Sequence, residues 1–378
     1  MRQRKDRGGY CCMSTTKNLK IIRSGVLGQY DRNDWPFTVS WSITGRCPYR
    51  CSYCYERDSP KRSIEPDLMT LISAIPRIKK ALDNPLKKNK QLRIRLFGGE
   101  PTSHKSFIPL LYELRSHFPN ASFSCLSNAY RPLSFMEKVL DIDPNFIFNI
   151  SIHFESVDEG SLLEKIAFLT EKKACGGLSL QFLPSYRIRI RNFAEILTKN
   201  FPNRPFSLQF LRSRESGFKE LMPDYTFEDH EWAKSISKQN NIVYFIDYID
   251  NNKKIYRRTF TFQEAFHPQL SNFKGAHCIW SMQRLTINEN GVMSTGFCLP
   301  NPRINIFVDD YNCDELNTEV PRICNSNFCK CQGMRDAAKF FDSEYAPIYL
   351  GGKKELSHDT IEFAPYPDEN HWREQCKN

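Results

Sequence analysis

Three cysteines crowd the run Cys47-Pro48-Tyr49-Arg50-Cys51-Ser52-Tyr53-Cys54, a CxxxCxxC spacing with an aromatic residue, Tyr53, just before the last thiol. Thiolates are the natural ligands of iron-sulfur clusters, and three of them on one short loop can grip three corners of a cubane. The fourth iron is then left without a protein ligand, free to bind a small molecule directly. A structural zinc knuckle is the competing chemistry, but such a site closes four ligands around the metal. After Cys54 the next cysteine is Cys125, and His104 and His117 fall in sequence with helical patterning. The open cluster is therefore the better reading of the triad.

A loop of this kind needs a rigid element to present it. The run Phe37 to Ile43 is rich in β-branched and aromatic residues and leads straight into the cysteines, so a first strand is expected to end at the cluster. A helix follows, with Pro66 in its first turn and Leu68, Leu71, Ile72 and Ile75 at helical spacing. Strand-like runs recur at Leu92 to Phe97, Ala121 to Leu126, Phe146 to Phe154, Leu178 to Leu183 and Phe206 to Leu211, with helical patterns between them. Six strands alternating with helices predict a parallel α/β sheet made of βαβ units. Periodicity leaves a partial barrel and an open doubly wound sheet equally allowed. In both, ligands gather at the C-terminal ends of the strands.

Polar residues do collect at those ends. Gly98-Gly99-Glu100-Pro101 follows the second strand; paired glycines let backbone approach a ligand, and a carboxylate beyond them can accept from an ammonium. Alone this would be an ordinary strand-to-helix turn. Ser127 and Asn128 end the third strand, and the fourth carries Ser151 and His153. These can hold a ribose or a carboxylate, while His153 can equally be a core histidine. Ser185, Tyr186 and Arg187 after the fifth strand read as an exposed basic loop before a carboxylate clamp, and the facing of Gln209 in the sixth is open. Cys125 and Cys175, isolated in apolar runs, are expected to be small buried hydrophobes.

A second cysteine zone begins at Cys278, after a helical segment at Phe227 to Gln239 and strand-like runs at Ile242 to Tyr248 and Ile255 to Phe262. Asn290-Gly291 between two β-like runs is a strong hairpin signal. Cys298 follows, and then Cys324, Cys329 and Cys331 fall close together, with Cys313 and Cys376 unassigned. These thiols suit an auxiliary iron-sulfur cluster or a structural zinc.

Composition sets the bounds. The 378 residues hold 40% hydrophobic residues, with 28 Phe and 16 Tyr, enough for a large core and an appendage. No apolar run is long enough to span a bilayer, and the N-terminus lacks a signal core, so a cytoplasmic protein without a membrane partner is expected. Fourteen cysteines in clusters, without a secretion signal, read as metal ligands and not as disulfides. The net charge of +10 admits nucleic-acid or anionic partners without requiring them. Part of that charge lies in the first residues, which read as a disordered basic tail.

The CxxxCxxC triad with Gly-Gly-Glu-Pro one βα unit later resembles the radical S-adenosylmethionine (radical SAM) superfamily. The resemblance implies a partial (β/α)6 TIM-like barrel in which Cys47, Cys51 and Cys54 hold a 4Fe-4S cluster. It further implies that Tyr53, Gly98, Gly99, Glu100, Ser127, Asn128, Ser151 and His153 receive S-adenosylmethionine, with the Glu100 carboxylate on its ammonium. The later zone resembles a SPASM or twitch extension, in which Cys278, Cys298, Cys324, Cys329 and Cys331 supply an auxiliary iron-sulfur cluster. It departs from that pattern in a longer glycine-to-cysteine interval and in having too few terminal cysteines for two clusters. The expected division is a basic extension over 1–35, a radical SAM core over 36–240, a small cysteine-rich auxiliary-cluster domain over 241–340 and a tail over 341–378. The resemblance implies hydrogen abstraction from a peptide or protein side chain, with oxidation of a small carbohydrate-type molecule or modification of a nucleic acid as alternatives, and a non-catalytic zinc or nucleic-acid-binding protein as the competing reading from another class. Its expected partners are an electron donor such as flavodoxin or ferredoxin and, for a peptide substrate, a separate leader-peptide-binding protein.

Overall fold

The structure is a computed structural model, and it describes residues 19–26, 36–83, 90–204, 206–216, 221–237, 244–260, 273–295, 304–308, 321–324, 337–347, 350, 352 and 359–360. Its strands are β1 (Lys20–Val26), β2 (Phe37–Thr44), β3 (Leu92–Gly98), β4 (Ser122–Ser127), β5 (Ile147–Ile152), β6 (Cys175–Phe182), β7 (Phe206–Phe210), β8 (Tyr244–Ile249) and β9 (Ile255–Phe260). The short strands β10 (His277–Cys278), β11 (Arg284–Ile287), β12 (Val292–Ser294), β13 (Ile304–Asn305), β14 (Arg322–Ile323), β15 (Lys339–Phe340) and β16 (Asp359–Thr360) follow. Among the described residues the helices are α1 (Leu68–Leu82), α2 (Phe107–His117), α3 (Leu133–Ile142), α4 (Glu159–Glu171), α5 (Arg187–Asn200), α6 (Phe227–Ser237) and α7 (Trp280–Gln283). None of them is long and apolar enough to cross a membrane.

Strands β2 to β7 pair in chain order, all parallel, and each is followed by one of α1 to α6, so the six expected βα units are present. The sheet is open: β7 is one edge, and β11 adds to the other in parallel with β2, carrying β12 and β13 beyond it. Alternation along each strand decides what faces what. In β2, Phe37, Val39, Trp41 and Ile43 join the main core with Leu71, Ile75 and Ile78 of α1 and Leu110, Leu111 and Leu114 of α2. The face turned away from the helices, here the inner face, instead receives Thr38, Ser40, Ser42 and Thr44 from β2. Cys125 and Cys175 lie in the core, as their apolar neighbours predict.

The α1 helix starts one cap later than Pro66 suggests, because Asp67 Oδ1 accepts from Thr70 N at 2.7 Å and fixes the first turn at Leu68. Arg187 corrects the expectation of an exposed basic loop. It forms a bidentate pair with Asp229 of α6, Nε donating to Oδ1 and Nη2 to Oδ2, both at 2.7 Å, and Arg191 reaches the same carboxylate at 3.1 Å. Asp229 is fully buried; burial opposes its ionisation, yet Arg187, Thr226 N and Arg191 hold its pKa below the ordinary carboxylate range. Asp229→Ala is expected to cost about 1–3 kcal/mol, since it removes charge-assisted hydrogen bonds from two guanidiniums that are each about a third exposed and can be partly resolvated. A depressed folded pKa also means that this stability is full above the ordinary aspartate pKa and is lost as pH falls through the lower folded value. Urea melts of wild type and variant between pH 7 and pH 3 check both; a variant whose deficit is unchanged by acid would place the effect elsewhere.

The second sheet runs in the order β14-β10-β15-β1-β8-β9-β16 and has its own small core of Phe245, Ile279, Trp280, Ala338 and Phe340. Here the basic extension differs from the expected tail. Residues 20–26 form β1, antiparallel to both β8 and β15. The reason is a buried ion pair, in which Asp247 of β8 accepts from Arg23 Nε at 2.7 Å and from Arg257 Nε and Nη2 at 2.7 and 2.8 Å. The residues expected to form one C-terminal unit are shared between the sheets, since β11 to β13 belong to the main sheet and β8, β9, β10, β14, β15 and β16 to the second.

Candidate active site

Thr44 ends β2, and Cys47 follows three residues later. Thr44 Oγ1 accepts from Arg46 N at 3.0 Å, and Gly45 N donates to Ile64 O at 2.8 Å, so the loop leaves the strand in a fixed direction. Arg62 Nη2 donates to the carbonyls of Cys47 and Tyr49, both at 2.7 Å, and Cys54 N closes a turn onto Cys51 O at 3.1 Å. Glu155, beyond the end of β5, accepts from Ser52 N at 2.6 Å and ties the middle of the loop to the sheet. Cys51 is buried, while Cys47 and Cys54 are half-buried. Leu183, Leu211 and Tyr53 pack around Cys51 and keep water from it.

The glycine pair is built against this loop. Gly99 N donates to Thr44 O at 2.9 Å and Glu100 N to Arg46 O at 2.7 Å. A Cβ on Gly98, whose φ is +143°, would stand 2.1 Å from Thr44 O, and one on Gly99 would stand 2.2 Å from Arg46 O. Only glycine permits that approach.

The Glu100 side chain is spent within the protein. It is 1% exposed; Oε1 accepts from Thr102 N at 3.1 Å, Thr102 Oγ1 at 2.5 Å and Ser127 Oγ at 2.8 Å, and Oε2 accepts from Asn128 N at 2.6 Å. Burial raises its pKa, and these four donors oppose the rise. Ser127 also accepts from Ala129 N at 3.0 Å, so its hydroxyl, like the carboxylate, knits the ends of β3 and β4 together. Ala129 has φ +55°, and Lys165 of α4 donates to its carbonyl at 2.9 Å, holding this strained corner in place.

Asn128 and His153 point at the thiols. Asn128 Nδ2 donates to Cys47 Sγ at 3.7 Å, and His153 Nδ1 lies 3.6 Å from Cys51 Sγ and 2.9 Å from Tyr53 Oη. The Tyr53 and His153 rings stack with 9° between their planes. Burial drops the His153 pKa to about 4, so the ring is neutral at physiological pH, and burial pushes the Cys51 thiol up to about 11 and raises Cys47 as well. Ser151 accepts from Gln181 Nε2 at 3.1 Å on the inner face. A cavity of about 650 Å³ opens beside Cys47, lined by Arg46, Arg50, Arg62, Ser103 and Tyr130 among others, a size that suits a small-molecule ligand.

The donor set fits a cluster held at three corners. Three thiols stand on one short, partly buried loop with amide and imidazole nitrogens at two sulfurs, though among the described residues no three metal-ligating side chains, these included, are gathered into one ligand group. Of the second zone, Cys278 and Cys324 are described. Cys278 pairs with Arg322, and Cys324, just past the end of β14, exchanges backbone hydrogen bonds with Ala276 O and Gly275 N at 2.8 and 2.7 Å, so the two cysteines lie on neighbouring segments. Cys298, Cys329 and Cys331 lie outside the described residues. The Asn290-Gly291 hairpin forms as expected: β11 and β12 pair antiparallel, with Gly291 at φ +78° and Asn288 Oδ1 accepting from Asn290 N and Val292 N.

Sequence reasoning did not single out Thr102, Glu155 or Lys165, which lock the site, nor Glu289, 7% exposed, which accepts from Ser42 Oγ at 3.2 Å beside the end of β2. The unbroken polar set Thr38, Ser40, Ser42 and Thr44 was the one legible signal that this face is not core.

Residues 41–176 match the family model described as the Radical SAM superfamily. The chain is 26% identical over 187 residues to a GTP 3',8-cyclase of Haemophilus influenzae, covering 48% of this chain and 52% of that one. It is 25% identical over 139 residues to a GTP 3',8-cyclase of Clostridium perfringens, covering 35% of this chain and 41% of the relative. It thus spans about half the length of the curated relatives it matches. Among solved structures, Streptococcus suis SuiB bound to S-adenosylmethionine aligns with a TM-score of 0.47 and 15% identity, over 74% of this chain and 65% of that one.

Proposed function

We propose that the chain, whose residues 41–176 match the Radical SAM superfamily model, is an enzyme that cleaves S-adenosylmethionine reductively and draws a hydrogen atom from a substrate seated on the inner face of the sheet. A 4Fe-4S cluster with S-adenosylmethionine supplies that radical chemistry when bound. The observation that carries the reading is the join between the two loops: Cys47, Cys51 and Cys54 on one, and on the other Gly98, Gly99 and Glu100, hydrogen-bonded to it through Thr44 O and Arg46 O.

In this reading the three thiols hold the metal and leave one corner to the methionine end of the cofactor. Gly98 and Gly99 offer it close backbone, and Glu100 with Ser127 sets the shape of that backbone from beneath. Asn128 donates to Cys47, His153 stands beside Cys51 and Tyr53, and both turn their remaining surface to the cofactor, which Tyr53 and Ser151 flank. Leu183 and Leu211 exclude water from Cys51. Cys278 and Cys324, with Cys298, Cys329 and Cys331, hold an auxiliary iron-sulfur cluster. An acidic flavodoxin or ferredoxin in the cytoplasm delivers the electron.

The sequence admits a peptide side chain or a small polar molecule as substrate. The inner face favours the small molecule: it is lined by hydroxyls, amides and guanidiniums and remains partly open, with Leu126 of central strand β4 40% exposed. The test is anaerobic reconstitution. A brown protein that forms 5'-deoxyadenosine from S-adenosylmethionine under a strong reductant is expected, whereas colourless protein with stoichiometric zinc would sink the proposal.

A further inference from the structure

One position on the core-facing stripe of α4 is a lysine. Lys165 stands among Leu162, Ile166 and Leu169, all buried, and is itself 8% exposed. A leucine or methionine would fill such a position without desolvating a charge, and an ammonium is buried there only with a partner. Among the described residues that partner is not a carboxylate: Nζ donates to Ala129 O at 2.9 Å and makes no ion pair. Burial lowers the Lys165 pKa, and the more distant Asp158 and Glu164 oppose the fall.

The carbonyl it holds belongs to an uncommon backbone. Among the described residues Lys173, Lys253 and Ala129 are the non-glycine residues with positive φ; the two lysines are exposed, while Ala129, at φ +55°, is buried. Asparagine and aspartate enter this region through local side-chain hydrogen bonds, which alanine cannot make, so Ala129 relies on what surrounds it. Its conformation acts on the residue before it. The turn brings Tyr130 N onto Asn128 Oδ1 at 2.9 Å, which takes up the amide oxygen and leaves Nδ2 aimed at Cys47 Sγ at 3.7 Å. Tyr130 also forms part of the wall of the cavity beside Cys47.

We propose that Lys165 is a positioning residue for the iron-sulfur centre: its ammonium pins the Ala129 carbonyl, keeps the left-handed turn, and so aims the Asn128 amide at the sulfur of Cys47. Hydrogen bonds to ligand sulfurs are among the levers that set a cluster's reduction potential. Without the clamp Ala129 relaxes toward the right-handed region, Tyr130 N leaves Asn128 Oδ1, and the amide loses its direction. The potential then falls, because the reduced cluster carries more negative charge and gains more from an N–H at sulfur. The effect on the cluster rests on the radical SAM reading, whereas the clamp on Ala129 belongs to the protein alone. A compensation follows: glycine accepts a positive φ without support, so Ala129→Gly makes Lys165 dispensable.

Two measurements test it. In the apoprotein, hydrogen exchange at the Tyr130 amide should quicken about tenfold or more in Lys165→Met and return to the wild-type rate when Ala129→Gly is added. In the reconstituted protein, a redox titration followed by electron paramagnetic resonance reads the cluster whose signal responds to S-adenosylmethionine. Lys165→Met should move its midpoint to more negative values, Asn128→Ala should move it as far, the two together no further, and Ala129→Gly should reverse the Lys165→Met shift. An unshifted midpoint in Lys165→Met, additive shifts, or a shift that Ala129→Gly leaves in place would overturn the proposal; the last would mean that the charge acts directly and not through the turn. Should Lys165→Met fail to fold, the double variant with Ala129→Gly, whose turn needs no clamp, should fold with wild-type exchange and midpoint, and its failure to do so also overturns the proposal. Wild-type protein that takes up no cluster, with the exchange results as expected, sinks the radical SAM reading and leaves the clamp standing. Wild type that cleaves S-adenosylmethionine, with exchange unchanged in Lys165→Met, sinks this inference alone.

Discussion

Replacing Cys47, Cys51 and Cys54 together by alanine is expected to abolish cleavage of S-adenosylmethionine while leaving the protein folded and about half of its iron and sulfide in place. The first effect follows from the loop: each sulfur has a distinct place, with Asn128 at Cys47 and His153 at Cys51, and no neighbouring cysteine among the described residues can substitute. Folding should survive because Arg62, Glu155 and Thr44 hold the loop through its backbone, not through the thiols. The retained iron reports on the second zone, where Cys278 of β10 and Cys324, just past β14, lie on neighbouring segments. Iron and sulfide counts with visible absorbance read all of this. Zinc in place of the residual iron would make the second zone a structural zinc site, and an inactive variant that is also unfolded would return the loop's order to the metal.

Glu100 should show the next largest effect, and in a way that its motif does not suggest. Glu100→Ala leaves the N–H groups of Thr102 and Asn128 buried and unpaired, at about 1–3 kcal/mol each, whereas the hydroxyls of Thr102 and Ser127 can turn elsewhere. Glu100→Gln keeps the volume but aims an amide N–H₂ at donors whichever way it is placed, so one backbone N–H loses its partner, costing about 1–3 kcal/mol. Both variants should therefore lower the denaturant midpoint of the apoprotein, with alanine worse than glutamine, and weaken cofactor binding in the same order. A carboxylate whose work is to hold the cofactor's ammonium would give the opposite split, with apoprotein stability intact and only affinity lost. Denaturant melts of the apoproteins beside equilibrium binding of S-adenosylmethionine to the loaded proteins distinguish the two.

That split marks where the sequence stopped being informative. The triad and Gly-Gly-Glu-Pro are local patterns, and local patterns survive in the chain: three thiols within eight residues are near enough in sequence to serve one metal, and two adjacent glycines announce a close backbone approach. The six βα units were legible for a similar reason, since apolar residues repeat at two along strands and near 3.6 along helices wherever one face is buried. Even the β11–β12 hairpin could be read, because Asn290-Gly291 suits the backbone of a tight turn.

What the tertiary structure decided are the partners of each polar group, because these come from strands far apart in the chain. Glu100 has the same place in its motif whether it faces a cofactor or Ser127 and Asn128; only the pairing of β3 with β4 gives it four donors. Arg187 is a surface residue by sequence and an ion-pair partner in space, since Asp229 arrives 42 residues later. The first residues looked like a basic tail because charge without periodicity reads as disorder, yet Arg23 belongs to a buried pair with Asp247, 224 residues away. The openness of the sheet was likewise beyond the sequence: β11 adds to β2 through backbone hydrogen bonds, which carry no side-chain signature. Periodicity names which residues are buried, but burial of a polar side chain is stable only against a particular partner. That partner is fixed by topology, and it is topology that sets Lys165 of α4 against the Ala129 carbonyl just beyond the end of β4.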